Sequence, residues 1–235
     1  MSQRSLGVAV GLSIPVVGLG LAACGGTSSS TAATTTKSAQ AAGSSGFASY
    51  KGAGGGSNAR STNAAGGSVG KVSGVSSSSF TLKTPTGGKV TVKDTSLTVY
   101  DKGTKTSAAS AVASGKTVLV LGKVDGTTIT ASDVIVGPAI DLSKAASKVS
   151  SFKRGTQGAS KSVGQIPTSY KEGSGTIVSG TTATKATEAA LTDYAGGVVD
   201  RVVRLSDGEY EVHYIGANWP HHIFVSRDFK VVGAN

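Results

Sequence analysis

The chain has 235 residues, a net charge of +10, one Cys and 34 Gly, the last twice the usual ~7%. With one Trp, six Tyr and five Phe set among so much Gly, Ser, Thr and Ala, it cannot bury a single core along its whole length. One Cys excludes an intramolecular disulfide framework and any multi-cysteine zinc or iron–sulfur site.

The N-terminus reads as an address. Arg4 is followed by an uncharged apolar run from Leu6 to Ala23, the order of a basic n-region and an apolar h-region. The run ends in Leu21-Ala22-Ala23-Cys24. These four residues resemble the lipobox of bacterial lipoproteins. That resemblance implies a signal peptide over 1–23, acylation of the Cys24 thiol and cleavage just before it. The competing reading is an uncleaved transmembrane anchor. A span needs ~20 apolar residues, whereas this run is shorter, contains Pro15, and is followed by polar chain without basic stop-transfer residues. Either way the rest of the chain lies outside the cytoplasm, at the extracytoplasmic face of the cell membrane.

Residues 24–67 read as a tether. Gly, Ser, Thr and Ala make up 37 of residues 25–70, so this stretch cannot offset its chain entropy by burial and is expected to be disordered. Its reach is about 35–40 Å. Its charges are Lys37, Lys51 and Arg60, with no acid. They suit either an anionic membrane surface or simple solvation.

From Ser68 to Gly137 the pattern is period-2 alternation: Val69 to Val75, Phe80 to Lys83, Val90 to Lys93, Leu97 to Tyr100, Val118 to Leu121 and Ile129 to Val136. Such runs predict strands. Asp125-Gly126 between two of them predicts a tight hairpin, and Thr106 to Ser114 a short helical turn. Strands this short hide their edges by closing, which predicts a small barrel. The glycine and valine spacing resembles the OB-like domain-of-unknown-function family 5666, which implies an OB-like β-barrel and no activity. The segment holds eight Lys and four Asp, but its only aromatics are Phe80 and Tyr100. Single-strand binding needs stacking platforms, and both rings sit at core positions, so nucleic acid is not expected as a partner. The lysines read as a solvated face.

Residues 138–175 read as a linker with a weak helix from Ile140 to Phe152. Residues 176–235 read as an α+β domain. Thr182 to Tyr194 places Ala183, Ala186, Ala190, Leu191 and Tyr194 on one helical face, with Thr181 or Thr182 as N-cap and Gly196-Gly197 as the stop. Strands follow at Val198–Leu205, Glu209–Ile215, Ile223–Ser226 and Phe229–Val232, and one helix on an antiparallel sheet is the economical packing. The residues Gly180-Thr181-Thr182-Ala183, Lys185-Ala186, Ala189-Ala190-Leu191, Val199-Asp200-Arg201-Val202, Asp207-Gly208, Tyr210-Glu211-Val212-His213 and Phe229-Lys230-Val231 resemble PepSY-like domains. This implies binding or modulation of an envelope protein, such as a peptidase, and brings no catalytic residue. Asn218-Trp219-Pro220-His221-His222 departs from that pattern.

All three histidines fall in one predicted hairpin. If Tyr214 opposes Ile223, His213 opposes Phe224 on the outer face and His222 is its diagonal neighbour, about 7 Å away. His213, His222 and Glu211 are then candidate metal ligands, against a reading as unrelated surface residues. Trp219, with His221 and Phe224, is the candidate partner contact, since exposed Trp is enriched in binding hot spots. Trp219 can equally pack over the end of a small sheet. No Ser sits in a Gly-x-Ser-x-Gly elbow, Ser174 lies in linker sequence, and no cofactor motif is present, so an enzyme is not expected.

Overall fold

The structure is a computed structural model describing residues 64–156 and 161–235. The signal segment, Cys24 and the tether up to residue 63 lie outside the described residues. In chain order the strands are β1 (Ala64–Val75), β2 (Ser79–Lys83), β3 (Lys89–Lys93), β4 (Val99–Lys102) and β5 (Lys105–Thr106), then β6 (Thr117–Asp125) and β7 (Thr128–Val136). Helix α1 (Leu142–Ser147) precedes β8 (Ser150–Ser151), β9 (Val163–Gly164) and β10 (Thr176–Ile177). Helix α2 (Gly180–Asp193) leads into β11 (Val198–Arg204), β12 (Tyr210–Ile215), β13 (Ala217–Trp219), β14 (His222–Val225) and β15 (Val231–Ala234).

β1, β2, β3, β7 and β6 close into a five-stranded mixed barrel. Every pairing is antiparallel except the one between β3 and β7. Alternation drives the closure: Val72, Phe80, Leu82, Val90, Val92, Val118, Val120, Ile129 and Val134 all point inward and are buried together. The β6–β7 hairpin turns at Gly126, with φ +56°, and pairs Asp125 with Thr128, as an Asp-Gly turn requires.

β1 begins at Ala64, inside the stretch read as tether. There, on its other edge, it also joins the second half of the chain: Gly67 pairs with Val199 and Ser68 with Val198. The same residues pair with Leu121 and Val120 of β6. One continuous sheet therefore runs from the barrel through β11, β12, β14 and β15 to β9. The Ser68 hydroxyl donates to the Gly197 carbonyl at 2.8 Å, and the Thr86 hydroxyl donates to the carbonyl of Gly196.

The helical face expected from periodicity is the one α2 buries. Ala183, Ala186, Ala190 and Leu191 are fully buried, and Tyr194 nearly so. They pack against Val69, Leu119 and Leu121 on the outside of the barrel and against Val199, Val202, Val212, Tyr214 and Ile223. The cap differs from expectation. The N-cap is Ser179, with no side-chain hydrogen bond, rather than Thr181 or Thr182. At the core, the buried Tyr214 hydroxyl accepts from the Gly197 N–H and donates to the Tyr194 carbonyl at 3.1 Å. Burial pushes that phenol's pKa far above its usual value.

The stretch read as a linker carries structure. α1 is shorter than the expected helix and is capped by Asp141, which accepts from the Lys144 N–H at 3.0 Å. β9 extends the sheet beyond β15, and β10 pairs with β11. Residues 165–175 therefore cross the sheet face opposite α2, as a strap.

Side-chainless positions in β1 permit the crossing. A methyl at Gly66 would overlap the Val199 carbonyl oxygen, whereas one at Gly74 meets, among the described residues, no atom within 4 Å beyond its chain neighbours. Overpacking of this kind costs about 1–3 kcal/mol. Gly66→Ala should lower the thermal midpoint clearly and Gly74→Ala should leave it near wild type, as read by calorimetry on the two variants.

Candidate functional site

The chemistry-bearing side chains gather on the strap-covered face, where β11, β12 and β14 lie side by side. The register differs from expectation by two residues. Val212 pairs with Ile223 and His213 with His222 directly; Glu211, not His213, is opposite Phe224. The two imidazoles stand edge to face with centroids 5.3 Å apart. A bulge in β11 between Val199 and Arg201 lets both Asp200 and Arg201 reach this face, because a bulge interrupts the strict alternation of side chains.

Each histidine is held by its own carboxylate. His213 Nδ1 donates to Asp200 Oδ1 at 2.6 Å, and His222 Nδ1 donates to Glu211 Oε1 at 2.7 Å. The direction follows because an ionised carboxylate can only accept. In the neutral ring Nε2 then carries the lone pair, the arrangement that orients metal-binding histidines. Among the described residues, however, no three His, Cys, Asp or Glu side chains are grouped to hold a metal ion. Glu211 was expected beside His213 as a surface ligand. It is instead 2% exposed and committed to His222.

Arg201 is 5% exposed. It meets Asp200 at 3.4–3.5 Å, and among the described residues its Nε has no hydrogen-bond partner. Tyr170 of the strap closes the cluster, its ring edge-on to Phe224 at 4.7 Å and tilted against His222 at 5.5 Å. Burial, reinforced by Glu211, drives the Tyr170 phenol pKa well above its usual value. The strap is fixed beside it by the Ser169 hydroxyl, which donates to Asp207 at 2.5 Å. That bond holds the Asp207 carboxyl below its ordinary pKa range. A shallow polar depression of about 360 Å³ lies next to this contact, lined by Gln165, Thr168, Asp207, Glu209 and Arg227 among others.

The proposed partner tip is not exposed. Trp219 is 3% exposed and Phe224 is fully buried. Trp219 takes the packing alternative: its ring meets Tyr194 edge to face at 5.8 Å, its Nε1 donates to the Lys161 carbonyl at 2.6 Å, and the Lys161 ammonium lies over the ring. Its strand, β13, pairs with β8. The segment read as linker supplies these covers, so neither aromatic is a free contact. His221 is half-buried.

The alternation pattern located the histidines but missed Asp200, Arg201 and Tyr170. Nothing in the sequence marks the bulge. Tyr170 left one signal: it is the only aromatic between Phe152 and Tyr194.

Comparison with protein-family models, with curated proteins and with solved structures finds no match to this chain.

Burial, with His222 and His213 nearby, lowers the His221 pKa below its ordinary 6.5. The unfolded chain then binds that proton more readily than the folded one, so this contribution to stability is whole above pH 6.5 and shrinks as pH falls through and below it. Thermal melts from pH 7.5 to 5 should show a smaller acid-induced loss in His221→Gln than in wild type.

Proposed function

We propose that this chain is a non-enzymatic, lipid-anchored protein of the bacterial cell envelope, acting outside the membrane as a binding module. The observation that carries the reading is Leu21-Ala22-Ala23-Cys24, placed behind Arg4 and an uncharged apolar run and containing the chain's only Cys. Two acyl chains suffice for stable anchoring. The five-stranded closure with one parallel pairing supports an OB-like reading of the barrel. One helix packed on antiparallel strands supports a PepSY-like reading of the second half. The partner class implied by the latter is an envelope protein, a peptidase included.

Mass spectrometry of the mature N-terminus tests the anchor. The expected product begins at an acylated Cys24 and fractionates with membranes, and Cys24→Ser should leave an uncut, unacylated precursor. Native protein that begins at Met1 without acyl groups and partitions into cytosol would overturn the reading.

The paired carboxylates favour a second reading, a divalent-metal or small-solute site on His213 and His222. Nε2 of His213 and of His222 is the ring nitrogen not taken by Asp200 or Glu211, and a cation would add there. Two imidazole nitrogens would leave the other coordination positions to water or to a ligand's own donors. Titrating the purified chain with Zn²⁺ or Cu²⁺ should give one site that disappears in His213→Ala/His222→Ala. Equal binding by wild type and the double variant would remove this reading.

A further inference from the structure

The outside of the barrel carries lysines stacked directly across strands. Lys71 on β1 pairs with Lys83 on β2, and Lys83 pairs with Lys89 on β3. Directly opposed residues point to the same face with Cβ atoms ~5 Å apart, and like charges so placed destabilise a sheet. Lys93 continues the same face of β3, about 13 Å further along the strand. All four are exposed, and among the described residues none of them makes an ion pair. The nearest acid in sequence, Asp94, is half-buried with one carboxylate oxygen fully covered. Asp125 lies at the end of β6 away from Lys71, which pairs with Thr117.

Beyond Lys93, the turn between β3 and β4 holds Leu97 at 85% exposure, the most exposed large apolar side chain among the described residues. A soluble polyanion would reward the lysines but not the leucine. A bilayer rewards both, by headgroup attraction and by insertion of an apolar side chain at the boundary.

We propose that the β2–β3 face is a docking surface for an anionic phospholipid bilayer, with Lys71, Lys83, Lys89 and Lys93 on the headgroups and Leu97 inserted beneath them. This deepens the anchored reading and rests on it: β1 is the first strand after the segment leading from Cys24, whose composition predicts a reach longer than the barrel and whose own charges are all basic. Docking would give the like-charge ladder a compensating ligand and hold the barrel against the membrane.

The test uses the mature lipidated protein in vesicles of neutral phosphatidylcholine and of phosphatidylcholine with anionic phosphatidylglycerol. Lysine acetylation is read by mass spectrometry. Lys71, Lys83, Lys89 and Lys93 should be acetylated several-fold more slowly on the anionic vesicles only, with Lys171 and Lys230 unchanged, and high salt should erase the difference. Lys83→Glu should abolish the protection without lowering the thermal midpoint, because it replaces two repulsive cross-strand pairs with attractive ones. Leu97→Ser should weaken the protection at intermediate salt. Equal acetylation on both vesicle types would overturn the proposal. So would equal protection by soluble polyphosphate with no effect of Leu97→Ser. The anchor is scored separately by the N-terminal peptide in the same digest. If that peptide is unacylated, sedimentation of the chain with the two vesicle types tests the docking face alone: anionic-dependent sedimentation supports it, and none overturns it.

Discussion

Everything in the described structure depends on β1 being shared. Its first half lies between β6 of the barrel and β11 of the second sheet, and its second half turns back onto β2. The backbone of three strands must approach closely where the sheet changes course. Glycine at 66 and 67, without side chains to hold the neighbours apart, allows that approach. Once the strand is in place, the outer faces of β1 and β6 and the inner faces of β11 and β12 become one surface. A single alanine-faced helix, α2, covers it. The small alanines matter here because they let the helix axis lie close to a sheet that bends beneath it.

The opposite face of the second sheet is handled differently. It carries Asp200, Arg201, Glu211, His213 and His222, groups that resist burial unless paired. The strap supplies Tyr170 as an aromatic lid, and the strands supply carboxylate–imidazole pairs in place of water. A buried ion network of this type is weak support for stability, because desolvation offsets much of the attraction. Among the described residues the Arg201 Nε beside this network has no hydrogen-bond partner.

Much of this was legible in the sequence. Alternation placed the barrel strands to within a few residues, and the 3.6-residue period identified the buried side of α2, Leu191 and Tyr194 included. The unreadable parts share a cause. Ala64-Ala65-Gly66-Gly67 has the composition of a flexible linker, and composition does not distinguish a disordered glycine from one required by close backbone contact. The register of β12 on β14 differs from the expected one by two residues, because Val212 and Tyr214 share a face and are equally good partners for Ile223 by pattern alone. That shift brings His213 opposite His222. Trp219 and Phe224 looked free because their covers, Lys161 and Tyr170, come from chain that carried no strand or helix signal.

The central claim is that the barrel and the α+β half fold as one body through β1. Equilibrium urea unfolding, followed together by Trp219 fluorescence in the second half and by amide exchange in β2, β3 and β7, tests it most directly. Coincident transitions with one midpoint are the predicted result. A barrel that keeps its exchange protection after the Trp219 signal has fully unfolded would contradict it.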